Sequence, residues 1–271
     1  MDLRALLASP LGFVIGVSLG ALGGGGSILA VPALVYAAGQ TPKHATTTSL
    51  VVVAITAVIG VLPHWRAGRV RAVPGAIFGL AGIGGSLLGS HWNRAIDANV
   101  LLLAFAGLML LAAAAMWRRL NTASPPALRS AGAAANPAFA HARVRLDPST
   151  AAKVVVAGTV VGLLTGFFGV GGGFVIVPAL VLALGFTMPE AVGTSLLVIT
   201  INSIVALTTR LQPGAIDWGT VVPFTLASLI GVAVGSRLAS TRDSRSLQRW
   251  FVGLLVLVAI YTAVRSGLAM R

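Results

Sequence analysis

Two glycine-rich strings inside apolar stretches are the feature that most constrains this chain. The first, GALGGGGSILAVPALV, covers residues 20–35, and the second, GFFGVGGGFVIVPALV, covers residues 166–181. A run of glycines does not stay helical in lipid, since each glycine disfavours helix by about 1 kcal/mol relative to alanine and leaves backbone polar groups exposed. The pair therefore predicts a membrane protein with two glycine-broken helices, an arrangement typical of transporters.

The composition places most of the chain in lipid. Of 271 residues, 56% are hydrophobic and only 9% are charged, which is more apolar than a soluble domain of this length. The net charge of +13 lies in short loops between apolar runs, so it indicates orientation in a membrane and not a nucleic-acid partner. No cysteine is present, and the sequence predicts neither a metal site nor a cofactor. We expect the first apolar stretch to be retained, because no signal-peptide cleavage site follows it.

Eight apolar segments predict an all-α membrane protein with two four-segment halves, each beginning with its glycine-broken segment. The predicted segments are residues 10–38, 45–63, 72–92, 99–117, 151–185, 191–209, 218–238 and 249–268. Residues 118–150 are rich in Arg, Ala, Ser and Pro, a composition typical of a flexible cytoplasmic linker. The predicted organisation is an N-terminal repeat (1–117), the linker (118–150) and a C-terminal repeat (151–271).

The two halves align without a gap. When residues 16–90 are laid over residues 162–236, about a third of the positions are identical, and many of these are glycine or proline. Examples are Gly16 with Gly162, Pro32 with Pro178, Ser49 with Ser195 and Gly89 with Gly235. Shared apolar composition does not align glycines and prolines in this way, so we interpret the halves as products of gene duplication.

Two topologies agree with the distribution of positive charge. If every segment crosses the membrane, both termini are cytoplasmic; if each broken segment is a re-entrant hairpin, the halves are inverted and residues 237–249 become cytoplasmic. Both topologies place Arg66, Arg69, Arg71 and the linker in the cytoplasm. The charge rule alone does not choose between them.

The predicted anion site combines the two breaks with nearby hydroxyl and amide side chains. Where helix resumes, near Ile28 and Phe174, the new N-terminus presents unpaired N–H groups and a partial positive charge. Hydroxyls donate hydrogen bonds to an oxyanion without the burial of a full charge. The candidate substrate-binding residues are Gly23, Gly24, Gly25, Gly26, Ser27, Thr48, Ser49, Gly169, Gly171, Gly172, Gly173, Thr194, Ser195 and Asn202. The alternatives are close helix packing for the glycines and back-bonding to the helix for the hydroxyls.

Charged side chains are missing from the interior of the apolar segments. Glu190 and Asp217 border their segments, while Lys43, His44 and His64 lie at segment ends. This pattern argues against a carboxylate-based cation pump, and no catalytic motif predicts an enzyme. His44 and Glu190 occupy equivalent positions in the two halves, where they could titrate.

The paired motifs resemble those of the TauE/SafE family of sulfite and organosulfonate exporters. In each half a glycine-rich break leads into VPAL, at residues 23–34 and 169–180, and is succeeded by TSL, at residues 48–50 and 194–196. The resemblance implies a multi-pass inner-membrane transporter of small sulfur-containing anions such as sulfite or sulfoacetate, with the breaks and TSL hydroxyls as its site. We expect export by alternating access; the alternatives are an anion channel and a non-transporting membrane scaffold. The sequence does not predict the oligomeric state.

Overall fold

The computed structural model describes residues 3–36, 39–40, 42–93, 98–122, 148–168, 173–208 and 218–269. These residues form ten α-helices and no strand, which confirms the all-α prediction. The helices are α1 (Leu3–Leu22), α2 (Gly25–Tyr36), α3 (Pro42–Arg66), α4 (Ala72–Asn93), α5 (Ala98–Thr122), α6 (Pro148–Phe168), α7 (Gly173–Leu182), α8 (Met188–Thr208), α9 (Trp218–Thr241) and α10 (Ser244–Ala269).

Seven of the described helices are long and apolar enough to cross a bilayer: α3, α4, α5, α6, α8, α9 and α10. The predicted segment 10–38 consists of two helices, α1 and α2, and the predicted segment 151–185 consists of α6 and α7. With 12 and 10 residues, α2 and α7 are too short to span, because a crossing helix needs about 20 residues. The described helices therefore provide seven candidate crossings where the sequence predicts eight.

The predicted linker is helical at both of its ends. Helix α5 continues to Thr122, and α6 begins at Pro148. Residues 123–147, which make up the rest of the predicted linker, lie outside the described residues.

The chain reverses direction between α1 and α2. Gly23 has a φ of 69°, a left-handed conformation that glycine adopts without steric penalty, and its N–H donates to the carbonyl of Leu19 at 2.8 Å. Three residues later, a Cβ atom at Gly26 would lie 2.5 Å from the carbonyl oxygen of Ile15 and 2.8 Å from the Cβ of Leu19. Helix α2 therefore folds back along α1, and the two helices form a hairpin.

Two glycine seams connect the first half of the chain to the second. Helix α1 packs along α9, and α6 packs along α4; within each pair the helices run in the same direction. The contacts recur every fourth residue: Gly12 on Phe224, Gly16 on Ser228 and Gly20 on Val232 in one seam, and Gly158 on Phe78, Gly162 on Gly82 and Gly166 on Ser86 in the other. At each glycine a Cβ atom would overlap a carbonyl oxygen of the partner helix, so only glycine permits this approach. Each contact of one seam matches a contact of the other at a sequence offset of 146 residues.

Two further helix pairs combine one helix from each half and run in opposite directions. Gly60 of α3 packs on Leu196 of α8, whereas Gly193, earlier in α8, packs on His64, later in α3. Helices α3 and α8 are therefore antiparallel.

Helices α5 and α10 also meet near opposite termini. The Nε2 of Gln248, near the start of α10, donates to the carbonyl of Met116, near the end of α5, at 3.0 Å.

One side of the helix bundle collects the end of α3, the start of α4 and the start of α8. Here the Arg71 Nε donates to Glu190 Oε1 at 3.0 Å, and the Arg71 backbone N–H donates to Thr194 Oγ1 at the same distance. The end of α1 lies on this side as well, because the His64 ring contacts the carbonyl of Gly20. We call this end of the molecule the Arg71 side.

Candidate functional site

The two glycine breaks meet inside the bundle. A Cβ atom at Gly24 would overlap the backbone carbonyl of Gly173, and a Cβ atom at Gly173 would lie 3.0 Å from the carbonyl oxygen of Gly24. Both helices that resume after a break start here, since α2 begins at Gly25 and α7 begins at Gly173. The structure thus brings together two helix N-termini, where backbone N–H groups lack intrahelical partners.

The first break is densely packed on every side. Gly23 lies against Ser195, Gly25 against the side chain of Leu254, and Gly26 against Ile15 of α1. Residues 23–27 are all buried. Close packing therefore accounts for glycine at these positions, in addition to any role in ligand binding.

Ser27 lies at the junction of the two breaks. Its Oγ donates to the carbonyl of Gly24 at 2.7 Å, and its side chain occupies the space that a Cβ atom at Gly173 would need. A serine hydroxyl can rotate to another acceptor, so Ser27 can serve the helix or a ligand at the junction.

The second break is described only at its edges. Gly169, Gly171 and Gly172 lie outside the described residues. The flanking rings of Phe168 and Phe174 both pack on Phe105 of α5, with centroid distances of 5.5 Å and 4.8 Å. The end of α6 and the start of α7 therefore converge on one side chain.

Thr194 and Ser195 lie beside the first break, although they belong to the second half of the chain. Ser195 is fully buried, contacts Gly23 and donates its hydroxyl to the carbonyl of Val192 at 2.8 Å. Thr194 accepts the N–H of Arg71 at 3.0 Å. The first break and the second TSL motif thus belong to one cluster.

Thr48 and Ser49 are also buried, but they lie far from that cluster. Ser195 faces the part of α3 near residues 60–64, whereas Ser49 lies near the opposite end of α3, roughly 16 Å away along the helix axis. The buried Thr48 hydroxyl has no hydrogen-bond partner in the described part of the chain. The two hydroxyl clusters therefore lie at different levels of the bundle.

Asn202 points inward, as expected for an amide in an apolar span. Its Nδ2 approaches Gly82 of α4, at 3.9 Å from the position of a Cβ atom there, and its buried Oδ1 has no partner among the described residues. It lies about two turns beyond Thr194 on α8, on the face toward α4.

His64 and the Arg71–Glu190 pair were not predicted as parts of the site. His64 is buried against the end of α1, three residues before the break, and only the neighbouring helix reveals this. Glu190 also accepts the N–H and hydroxyl of Thr187, each at 3.0 Å. The sequence predicts that Glu190, like its equivalent His44, could titrate, but it does not reveal that Arg71, 119 residues away, is the partner of Glu190.

The chain matches the family model "Sulfite exporter TauE/SafE" over residues 8–262. A "Probable membrane transporter protein" of Xylella fastidiosa (strain 9a5c) is 36% identical over 260 residues, which cover 94% of this chain and 93% of the relative. YunE of Bacillus subtilis (strain 168), with the same description, is 27% identical over 92% of both chains. No solved structure matches the chain.

These relatives are described as membrane transporters and not as enzymes, in agreement with the sequence prediction. Together with the seven candidate crossings, the match over nearly the whole chain identifies a multi-pass membrane protein. The chain belongs to the TauE/SafE family of membrane transporters.

Proposed function

We propose that this protein exports small sulfur-containing anions, such as sulfite or an organosulfonate like sulfoacetate, across the inner membrane. The observation that carries the proposal is the meeting of Gly24 and Gly173, where α2 and α7 both begin. Two helix N-termini supply backbone N–H donors and partial positive charge, and Ser27 and Ser195 add hydroxyl donors beside them.

Neutral donors suit an anion that must bind and leave. No Asp, Glu, Lys or Arg is buried among the side chains that the structure describes. A permanent buried cation would hold the anion strongly and would be costly in lipid, whereas hydroxyls and amides bind it without an unpaired charge in the empty site. The family name supports sulfite as a substrate class.

Alternating access agrees with the packing of the breaks. The contact between Gly24 and Gly173 leaves no room for an ion between them, so the two breaks must separate for an anion to bind. This favours a carrier, whose site opens to one side at a time, over a continuously open channel. The glycine seams join α1 to α9 and α6 to α4, so each moving body in this proposal combines helices of both repeats, 1–117 and 151–271.

The inverted arrangement of the halves is part of the same proposal. Its support is the antiparallel α3–α8 pair and the two seams with matching contacts. Positive-inside counting then assigns the Arg71 side, with Arg66 and Arg69, to the cytoplasm.

The test is efflux of sulfoacetate and sulfite from proteoliposomes that contain the purified protein. Ser195→Ala is expected to raise the apparent KM about tenfold or more, because a hydrogen bond to a charged group contributes about 1.5–3 kcal/mol. The matched control is Ser90→Ala, since Ser90 is exposed and donates to the carbonyl three residues earlier, as Ser195 does. We expect the control to behave like wild type.

Two results would contradict the proposal. Efflux that does not saturate would indicate a channel. Wild-type protein that is folded but carries neither anion would favour a scaffold in which the glycines serve packing alone.

A further inference from the structure

His64 is a buried histidine beside the first break, where its ring could bind a proton. Its side chain is 2% exposed, and it is the one titratable side chain that is buried among those the structure describes. His64 belongs to the last turn of α3, and the backbone N–H of Arg69 donates to the His64 carbonyl at 2.9 Å. Gly193 of α8 makes room for it, since a Cβ atom there would lie 3.1 Å from the Cβ of His64.

The contact with Gly20 determines which ring nitrogen carries hydrogen. The His64 Nε2 lies 3.2 Å from the carbonyl oxygen of Gly20. A carbonyl oxygen can only accept, so Nε2 carries the hydrogen and donates it, and Nδ1 of the neutral ring keeps a lone pair. That Nδ1 is buried and has no hydrogen-bond partner within the described residues.

The contact has a structural role as well. Gly20 lies in the last turn of α1, where carbonyls lack an intrahelical donor, so His64 caps the helix that leads into the break. This cap involves Nε2 alone. Burial of Nδ1 without a hydrogen-bond partner costs free energy, so the unpaired Nδ1 calls for a functional explanation.

From this geometry we propose that His64 is a proton-binding site that couples proton movement to anion movement, which rests on the function proposed above. The Nδ1 lone pair accepts a proton from water on one side of the membrane, and the ring becomes an imidazolium while Nε2 keeps its bond to Gly20. The proton returns to water on the other side. Only an N–H bond forms and breaks, and the ring ends neutral.

The charge of the imidazolium provides the coupling. A positive ring three residues before the break favours an anion at the junction of Gly24 and Gly173, and by reciprocity a bound anion favours the protonated ring. A positive charge at the end of α1 is also favourable for the helix dipole. The proton and the anion therefore bind together and leave together.

The charged groups around His64 are few. The loop after α3 contributes Arg69, whose positive charge disfavours a second positive charge on the ring. It also contributes Arg71, which is paired with Glu190 of α8. On α9 the charged residue is Arg237, which is exposed, and the Gly20 carbonyl of α1 contacts the ring. Of the two carboxylates that the structure describes, Glu190 is paired with Arg71, and Asp243 lies exposed in the loop between α9 and α10.

The experiment measures sulfoacetate transport in proteoliposomes with the membrane potential clamped at zero. Sulfoacetate stays ionised near neutral pH, so an effect of pH belongs to the protein. Two assays are compared: exchange of labelled for unlabelled sulfoacetate at equal pH, and accumulation driven by a pH gradient. With one proton per anion, a gradient of about one pH unit drives about tenfold accumulation in wild type.

The decisive variant is His64→Gln, whose amide can still donate to Gly20 but does not titrate. We expect it to exchange sulfoacetate with a higher apparent KM, because no imidazolium favours the bound anion, and to lose gradient-driven accumulation. Substitution of a purely capping residue would leave accumulation intact. The matched control is His91→Gln, because His91 is an exposed histidine in the last turn of α4. It is expected to accumulate like wild type.

The possible failures are distinguishable. Accumulation by His64→Gln at the wild-type level overturns the role of His64 and leaves the proposed function standing. The same holds if wild-type protein exchanges sulfoacetate at equal pH but does not accumulate it in a pH gradient. Wild-type protein that is folded but shows no exchange overturns both.

Discussion

At the scale of single residues, the glycines of the breaks have two roles that the sequence does not separate. Contiguous glycines predict a broken helix, and the structure has the break at residues 23–24. The structure also gives Gly24 a packing role, because its backbone touches that of Gly173 in the other half. The stability of the junction and its ability to bind an anion therefore depend on the same atoms.

A methyl group at this contact is expected to destabilise the fold. Gly24→Ala places a Cβ atom on the carbonyl of Gly173, and overpacking of this kind lowers the free energy of unfolding by about 1–3 kcal/mol. The measurement is thermal unfolding of purified protein in detergent. Gly84→Ala is the control, since no atom lies within 4 Å of a Cβ atom at Gly84. An unchanged melting temperature for Gly24→Ala would contradict the contact between the breaks.

The importance of Ser195 could be predicted from the sequence, whereas the positions of Ser49 and His64 depend on how the helices pack. The repeated TSL motif predicted Ser195, which lies beside a break. Its equivalent Ser49 belongs to a separate cluster, because antiparallel packing of α3 and α8 places the two motifs at different levels. The sequence places His64 at the end of a helix, and only the structure shows that its ring contacts Gly20 next to the break.

At the scale of helices, the seams explain how the two halves are joined. Glycines four residues apart on α1 and α6 let each helix lie directly on the backbone of a helix from the other half. The interhelical bond from Ser228 Oγ to the Gly12 carbonyl, at 2.9 Å, adds to the first seam. The sequence alignment predicted equivalent glycines, but not that each helix packs across the halves.

The two seams should respond alike to the same change. Gly16→Ala and Gly162→Ala each place a methyl group on a carbonyl oxygen, of Ser228 and Gly82 respectively, so we expect similar drops in melting temperature. Gly107→Ala on α5 is the control, because a Cβ atom there would meet no atom within 4 Å. A large effect in one seam and none in the other would argue against equivalent halves.

At the scale of the whole molecule, the helix directions favour one of the two predicted topologies. Because α2 folds back along α1, we propose that the first broken segment enters and leaves on the same side of the membrane. The end of α5, which leads into the linker, lies beside the start of α10, so residues 237–249 and the linker lie on the same side of the molecule. These features match re-entrant hairpins and inverted halves, a distinction that charge counting could not make.

The measurement that tests the central claim most directly is the accessibility of residue 27 from each face of the membrane. The chain has no cysteine, so Ser27→Cys introduces a single thiol at the junction of the breaks. A membrane-impermeant thiol reagent that carries a sulfonate is added to one face at a time, with and without sulfoacetate. Ser90→Cys, near the end of α4, is the control and should react from one face only.

Alternating access to an anion site at this junction predicts that the thiol at position 27 reacts from both faces and that sulfoacetate slows both reactions. A thiol at position 27 that reacts from neither face, or that reacts equally fast with and without sulfoacetate, would contradict an anion site where the two breaks meet.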